Sequence, residues 1–113
     1  MAGYLFFPPA NARLDEIWKY TEEQHGEPQA VRYITGLHDH LQKLSDEKIK
    51  WKKIPRQWLV PVDLDLDVYF SKYEHHFIFF RQFSSKTIGV MSILHEMMDV
   101  PVRLKEDLIK KYQ

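Results

Sequence analysis

Two apolar stripes at helical spacing, separated by a short break, constrain the fold of this chain more than any other feature. They lie within residues 14–21 and 30–44, and each stripe follows one face of a helix. The break contains Gly26, which suits a positive φ at a helix end, and Pro28, which suits the first turn of a following helix. This pattern predicts a helical hairpin.

Outside the hairpin, the chain carries strand patterns and ends in a short amphipathic segment. Asn11 is the predicted cap of the first helix, and residues 45–61, which show no clear period, are predicted to form a long loop. Strands are predicted over residues 4–7, 62–70, 76–83 and 87–94, and a final helix over residues 102–113. The predicted fold class is therefore α+β: an N-terminal helical hairpin packed on a mainly antiparallel sheet, in the order β-α-α-β-β-β-α.

Length and charge limit the possible functions. The chain has 113 residues, which predicts a single domain over residues 1–113. Sixteen basic residues balance sixteen acidic ones, whereas a general nucleic-acid coat protein would show a basic excess. The absence of cysteine excludes disulfides and thiol catalysis. The first apolar run is too short for a signal peptide or a membrane span, so a cytoplasmic protein is expected.

Three phrases of the sequence, in order, resemble the ParE/RelE superfamily of bacterial toxins. Residues 14–44 are similar to the ParE helical hairpin, with its Ile-Trp-x-Tyr, a glycine between the helices and Gln-Ala opening the second. "HFIFFR", residues 76–81, is similar to a family strand, and "ILHEMMD", residues 93–99, resembles the end of the ParE sheet. Three features depart from the family: residues 45–48 lack its Asn-Pro-x-x-Gly turn, Asp67 stands where an arginine is common, and Phe80 stands where a tyrosine is common. The last phrase favours the ParE branch.

The resemblance implies the toxin of a type II toxin–antitoxin module. Such a toxin would be neutralised by a cognate antitoxin and, in the ParE branch, would arrest growth by binding and poisoning DNA gyrase. The RelE branch implies an alternative, an endoribonuclease that cleaves messenger RNA on the ribosome, although a net charge of zero gives ribosome docking little support. A third possibility is an antitoxin-bound relic that has lost its toxicity.

The nuclease alternative requires specific side chains. RNA cleavage needs a group that activates the 2′-hydroxyl, a group that protonates the leaving oxygen and a cation for the phosphate. Arg81, His95 and Glu96 would supply these roles. In the competing structural interpretation, Arg81 pairs with a surface carboxylate, while His95 and Asp99 fix the connection that follows the last strand.

Candidate binding residues come from the loop, the sheet and the helices. The loop interleaves lysines with Trp51 and Trp58, a composition that could contact a phosphate backbone or stack on a base. The same composition also suits tryptophans that anchor a loop to the core while the lysines stay solvated. The target-binding candidates are Lys52, Lys53, Arg56, Trp58, Arg81, His95 and Arg103. The antitoxin-binding candidates are Trp18, Val31 and Ile34.

Histidine spacing gives no support for a metal site. His38 and His40 are two residues apart on a predicted helix and so point to different sides. His75 and His76 are adjacent, and on a strand they would face opposite ways. No metal, cofactor or small-molecule ligand is therefore predicted.

Overall fold

The computed structural model of the chain describes residues 3–49, 51–54, 68–83 and 87–111, with side chains described up to residue 108. Its strands are β1 (Tyr4–Phe6), β2 (Lys52–Lys53), β3 (Tyr69–Tyr73), β4 (His76–Gln82) and β5 (Ile88–His95), and its helices are α1 (Pro8–His25), α2 (Glu27–Ser45) and α3 (Val100–Lys111). This arrangement confirms the predicted α+β class and the order of the predicted elements. None of the described helices is long and apolar enough to cross a membrane.

The helical hairpin forms as predicted, with one difference at its start. Gly26 ends α1 and precedes α2 with φ 88° and ψ 165°, a conformation that favours glycine. Pro28 lies in the first turn of α2. The prediction that Asn11 caps α1 is wrong, because α1 begins at Pro8 with Phe7 in the capping position. Proline is well suited to the first helical turn, since its missing N–H would have no partner there, and so the helix begins one turn earlier.

The predicted long loop contains an additional short strand. Lys52 and Lys53 form β2, which pairs antiparallel with β3 through Phe70 and Tyr69. Trp51 lies just before it and donates its indole N–H to the carbonyl oxygen of Leu44 at 2.9 Å. This contact confirms, for Trp51, that the tryptophan anchors the segment to the core. The lysines that follow stay exposed.

Other predictions in this region lie only partly within the described residues. The strand predicted over residues 62–70 is described from residue 68, and β3 continues beyond the prediction to Tyr73. The alternating acidic positions, among them Asp67, lie outside the described residues, as do Arg56 and Trp58.

The sheet has the strand order β1-β5-β4-β3-β2. Only the pairing of β1 with β5 is parallel, and the remaining described pairings are antiparallel. All residues of β5 except its last, His95, are buried. The two edges differ in composition: β1 is the apolar triplet Tyr-Leu-Phe, whereas β2 consists of two exposed lysines, which discourage further strand pairing.

Apolar clusters lie on both faces of the sheet. The hairpin-side cluster joins Leu37 and Leu41 of α2 to Ile78, Phe80 and Ile93 of the strands. The α3-side cluster contains Phe79, Met91, Leu94, Leu104 and Leu108. A register shift between Phe79 and Phe80 marks a β-bulge in the pairing of β4 with β5.

A charged network connects the layers at α1. Asp107 of α3 is only 2% exposed, and it accepts hydrogen bonds from Nε and Nη2 of Arg13 at 3.0 and 3.1 Å. The hydroxyl of Ser92 on β5 also donates to Asp107, at 2.6 Å. The buried carboxylate is therefore satisfied by partners from both α1 and β5, as a buried charge requires.

Candidate functional site

Three histidines converge at one end of the sheet. His75 lies in the turn between β3 and β4, His76 begins β4, and His95 ends β5 directly opposite His76. The rings of His75 and His95 stack with centroids 6.2 Å apart, while His76 and His95 meet edge to face at 5.0 Å. The sequence shows only that His75 and His76 are adjacent. The antiparallel register of β4 and β5 brings His95 to them.

The most buried member of this cluster is bonded to the helical hairpin. The hydroxyl of Tyr33 on α2 and Nδ1 of His76 form a hydrogen bond of 2.5 Å. Burial lowers the pKa of His76 to about 4 and raises the pKa of Tyr33 to about 12. His76 is therefore neutral and Tyr33 is protonated at neutral pH, so the pair presents uncharged polar groups.

Glu96 and His95 both form polar contacts with neighbouring residues. Glu96 contacts Nζ of Lys72 at 2.6 Å and Nδ1 of His75 at 3.1 Å, and hydrogen bonds from these two residues, Lys72 first, lower its pKa. Nδ1 of His95 accepts the backbone N–H of Met97 at 3.0 Å, which agrees with the structural interpretation of His95. A glutamate that already accepts hydrogen bonds from a lysine and a histidine, and whose pKa is lowered by them, is a poor proton donor.

Arg81 lies far from these residues. It pairs with Gly89 in the register of β4 and β5, whereas His95 pairs with His76. His95 lies six steps along the strand from Gly89, which corresponds to about 20 Å. The guanidinium of Arg81 instead lies 5.2 Å from the ring centroid of Phe83. The structure thus brings His95 and Glu96 together but does not bring Arg81 to them.

The basic target-binding candidates fall into separate places. Lys52 and Lys53 are exposed on β2. Lys53 pairs with Tyr69, and Tyr69 pairs with Phe80, the neighbour of Arg81. These lysines and Arg81 therefore lie toward the same end of the sheet, about two strand spacings, or ~10 Å, apart. Arg103 lies elsewhere, on α3, where it pairs with Glu106 at 3.2 Å.

The antitoxin-binding candidates differ in exposure. Val31 on α2 is exposed, whereas Trp18 on α1 is only partly so. Ile34 packs against the hairpin-side core. Of the three, Val31 is the most accessible to a partner.

A groove of about 770 Å³ opens between the bend of the helical hairpin and the histidine end of the sheet; we call it the sheet-end groove. Its lining combines aromatic, apolar and imidazole side chains: Ile17, Tyr20, Tyr33, Tyr73, His75, His76, Ile93, His95, Met97 and Met98, with Arg13, Glu16, Thr21, His25, Gln29, Arg32 and Glu74 completing it. Its volume is typical of ligand sites. Sequence reasoning missed it because its walls come from three separate parts of the chain.

These side chains include groups that can ligate a metal ion. Within the residues that the structure describes, no group of three or more His, Asp or Glu side chains is arranged to hold a metal ion. The contacts that the three histidines make are ring packing and hydrogen bonds.

Comparison with known proteins identifies the family. Residues 4–100 match the model of the family described as the ParE toxin of the type II toxin–antitoxin system, parDE. The chain therefore belongs to the ParE toxin family, the toxin component of a type II toxin–antitoxin system, as the sequence resemblance predicts.

Relatives share this family over nearly their whole length. Toxin ParE of Escherichia coli is 30% identical over 108 residues, which cover 96% of this chain and 98% of that protein. Toxin ParE1 of Mycobacterium tuberculosis is 29% identical over 97 residues, covering 86% and 92% of the two chains. The similarity extends across the helical hairpin and the sheet.

Proposed function

We propose that this chain arrests bacterial growth by binding and poisoning DNA gyrase, and that a cognate antitoxin neutralises it by binding. Membership of the ParE toxin family is the observation that carries the proposal. In this mechanism the toxin supplies a complementary surface, while the cleavage of DNA belongs to gyrase.

The distribution of the nuclease candidates supports a binding role. An endoribonuclease needs its base, acid and phosphate-binding cation around one phosphodiester. Arg81 is about 20 Å along the sheet from His95, and Glu96 is occupied by Lys72 and His75. This separation gives the nuclease alternative little support.

A basic surface near Arg81 is the proposed target contact. Lys52, Lys53 and Arg81 share one end of the sheet, and exposed cations at this spacing favour association with an acidic protein surface or a DNA backbone. His95 and Arg103 are less suited to this contact, because they lie away from that end of the sheet.

The direct test uses purified toxin, gyrase and supercoiled plasmid. The expected result is linear plasmid that accumulates with toxin dose and disappears when antitoxin is added. A parallel reaction with translating ribosomes tests the nuclease alternative, and messenger RNA cuts at fixed codon positions there, without linear plasmid, would reject the proposal. A Lys52→Glu/Lys53→Glu double variant should reduce linear DNA about tenfold, while Arg103→Glu should change it less than twofold.

A further inference from the structure

At the end of the sheet opposite the sheet-end groove, a row of residues crosses three adjacent strands. Leu5 of β1 pairs with Gly89 of β5, and Gly89 pairs with Arg81 of β4. The row faces α3, because the neighbours of Leu5 in β1, Tyr4 and Phe6, pack in the hairpin-side cluster on the other face. Leu5 and Arg81 therefore lie on one face of the sheet, two strand spacings or about 10 Å apart.

Gly89, in the middle of this row, leaves space that two aromatic rings occupy. A Cβ added at Gly89 would lie 2.9 Å from the ring of Phe83 and 3.0 Å from the ring of Phe7, which is closer than the roughly 3.5–4.0 Å at which carbon atoms pack. The two rings meet edge to face with centroids 6.2 Å apart. The absence of a side chain thus lets both rings lie directly against β5. We call Leu5, Phe7, Arg81 and Phe83 the aromatic–arginine patch.

The guanidinium of Arg81 packs on the aromatic part of this patch. Its central carbon lies 5.2 Å from the ring centroid of Phe83, a distance typical of a cation–π contact. Arg81 takes part in none of the ion pairs between side chains that the structure describes. A guanidinium has N–H donors in a planar fork, and the contact with a ring does not use them. A carboxylate in the plane of that fork would accept two parallel hydrogen bonds.

Leu5 gives the patch an apolar component that is open to solvent. Its side chain is 42% exposed, and a protein partner can bury it with an apolar side chain of its own. A DNA backbone supplies the anion for Arg81 but has no apolar side chain to pack on Leu5. The balance of sixteen basic and sixteen acidic residues also gives the chain no general attraction to DNA. These observations favour an acidic protein segment over a nucleic acid.

We propose that the aromatic–arginine patch is the anchor of the target contact, and that it binds a segment of the target protein in which a carboxylate adjoins an apolar side chain. The carboxylate accepts hydrogen bonds from Arg81, and the apolar side chain packs on Leu5 and Phe7. The inference rests on the proposed function, because gyrase is the protein taken as the target. The exposed charges of Lys52 and Lys53 favour the approach of an acidic surface, whereas the patch supplies the close contacts.

The charge contact is tested by biolayer interferometry of the full chain on immobilised gyrase without DNA. Arg81→Glu should weaken the affinity about thirtyfold, and Arg81→Lys about fivefold, because lysine keeps the charge but loses the planar fork. Lys19→Glu is the matched control, since it reverses an exposed cation on α1, and it should change the affinity less than about twofold. Equal losses in Arg81→Glu and Lys19→Glu would reflect net charge alone and would overturn the inference.

The apolar contact is tested in the same assay. Leu5→Glu should weaken gyrase binding about tenfold, since a charge would replace a buried apolar contact. Val102→Glu is its control, because Val102 is an exposed apolar residue on α3, 48% exposed and outside the patch, and its effect should be less than about twofold. Phe83→Leu keeps an apolar side chain but removes the ring beneath Arg81, and should cost about fivefold. Circular dichroism and thermal melts establish that each variant is folded. Unchanged affinity in both Leu5→Glu and Phe83→Leu would reject the anchor.

Two further measurements distinguish a protein target from other partners of the patch. If Arg81→Glu binds gyrase alone as tightly as the unmodified chain, but yields less linear plasmid in the cleavage reaction, Arg81 contacts DNA and the inference is wrong. Calorimetric titration with the cognate antitoxin should give affinities within about twofold of the unmodified chain for Arg81→Glu and Leu5→Glu. Antitoxin binding that falls as much as gyrase binding would also contradict a patch dedicated to the target.

Growth arrest separates this inference from the gyrase proposal. If the unmodified chain neither binds gyrase nor linearises plasmid, the gyrase proposal fails, and the same variants are then compared by the growth of bacteria in which the toxin is induced. Relief of growth arrest by Arg81→Glu and Leu5→Glu, but not by Lys19→Glu and Val102→Glu, would still support the patch as the anchor for another protein target. Arrest that persists in both patch variants, or that the unmodified chain does not cause, would overturn it.

Discussion

The two faces of the sheet are joined to their helices by different chemistry. On the hairpin face, α2 contacts the strands through side-chain hydrogen bonds that involve no carboxylate or guanidinium, such as Tyr4 to His38 at 2.8 Å and Tyr33 to His76 at 2.5 Å. On the other face, α3 is held through the buried carboxylate of Asp107 and the guanidinium of Arg13. Hydrogen bonds between uncharged groups are individually weak and insensitive to salt. Removing one partner of a buried ion pair lowers the free energy of unfolding much more, because it leaves the other charge buried without compensation.

Removing the buried carboxylate should produce the largest effect. Asp107→Asn leaves Arg13, whose side chain is 15% exposed, without its bidentate partner, and is expected to lower the free energy of unfolding by about 3 kcal/mol. Urea denaturation followed by circular dichroism measures the change. Glu16→Gln removes the exposed partner of Arg13 and should cost less than about 0.5 kcal/mol. Equal losses in the two variants would contradict the assigned role of Asp107.

Gly36→Ala, on the hairpin face, should give the second largest loss in the free energy of unfolding. An added Cβ would lie 2.1 Å from the hydroxyl oxygen of Tyr73, so the helix or the ring must move. The expected net loss is about 2 kcal/mol, which exceeds the gain of up to about 1 kcal/mol from replacing a helical glycine with alanine. In a Tyr73→Phe background the closest atom is absent, and the same substitution should cost less. If Gly36→Ala instead raised the free energy of unfolding, the Tyr73 side chain would be able to move away from the added Cβ at little cost.

Acid should weaken the hairpin face through His76. Its pKa is about 4 in the folded state against 6.5 as the ordinary value, so the unfolded chain binds the proton more readily. The contribution of His76 to the free energy of unfolding is fully present above about pH 6.5. It decreases as the pH drops toward 4, by roughly 1–2 kcal/mol once screening at a partly exposed site is allowed for. His40, whose pKa burial also lowers, acts in the same direction.

Urea midpoints at pH 7 and pH 5 measure this dependence. The interval stays above the range in which Glu96, with its depressed pKa, takes up protons. His76→Gln should flatten the dependence, while His25→Gln, at an exposed position, should leave it as it is. An unchanged slope in His76→Gln would exclude His76 as the source.

The smallest expected effect comes from a single hydrogen bond that involves no carboxylate or guanidinium. Tyr4→Phe removes the bond to Nδ1 of His38 and should lower the free energy of unfolding by about 1 kcal/mol. Tyr20→Phe, at a largely exposed tyrosine, should change it by less than about 0.3 kcal/mol. A Tyr4→Phe loss as large as that of Asp107→Asn would remove the distinction between the two faces.

Much of the fold could be predicted from local patterns. The stripes around Leu37 and Leu41, together with Gly26 and Pro28, define the hairpin because helical period and turn chemistry are both local properties. Asn11 was misassigned because a proline-initiated helix needs no side-chain cap. The strand at Lys52 was missed because two residues are too short for any period to show.

The candidate site was less predictable because it depends on register. His95 meets His76 only through the pairing of β4 with β5, and the same pairing separates Arg81 from both. The groove further requires the bend at Gly26 to stand over the sheet end. Nothing in the residues near Met97 alone indicates that it borders a cavity whose opposite wall carries Tyr20.

The pairing of β1 with β5 has a consequence for how the chain folds. Tyr4 lies beside Ile88, and Arg13 bonds Asp107 across a sequence separation of 94 residues. Neither contact can form until its later partner, Ile88 or Asp107, has been synthesised. Contacts so distant in sequence slow folding. A newly made chain therefore passes through an interval in which β1 has no partner strand and Arg13 has no Asp107 to bind.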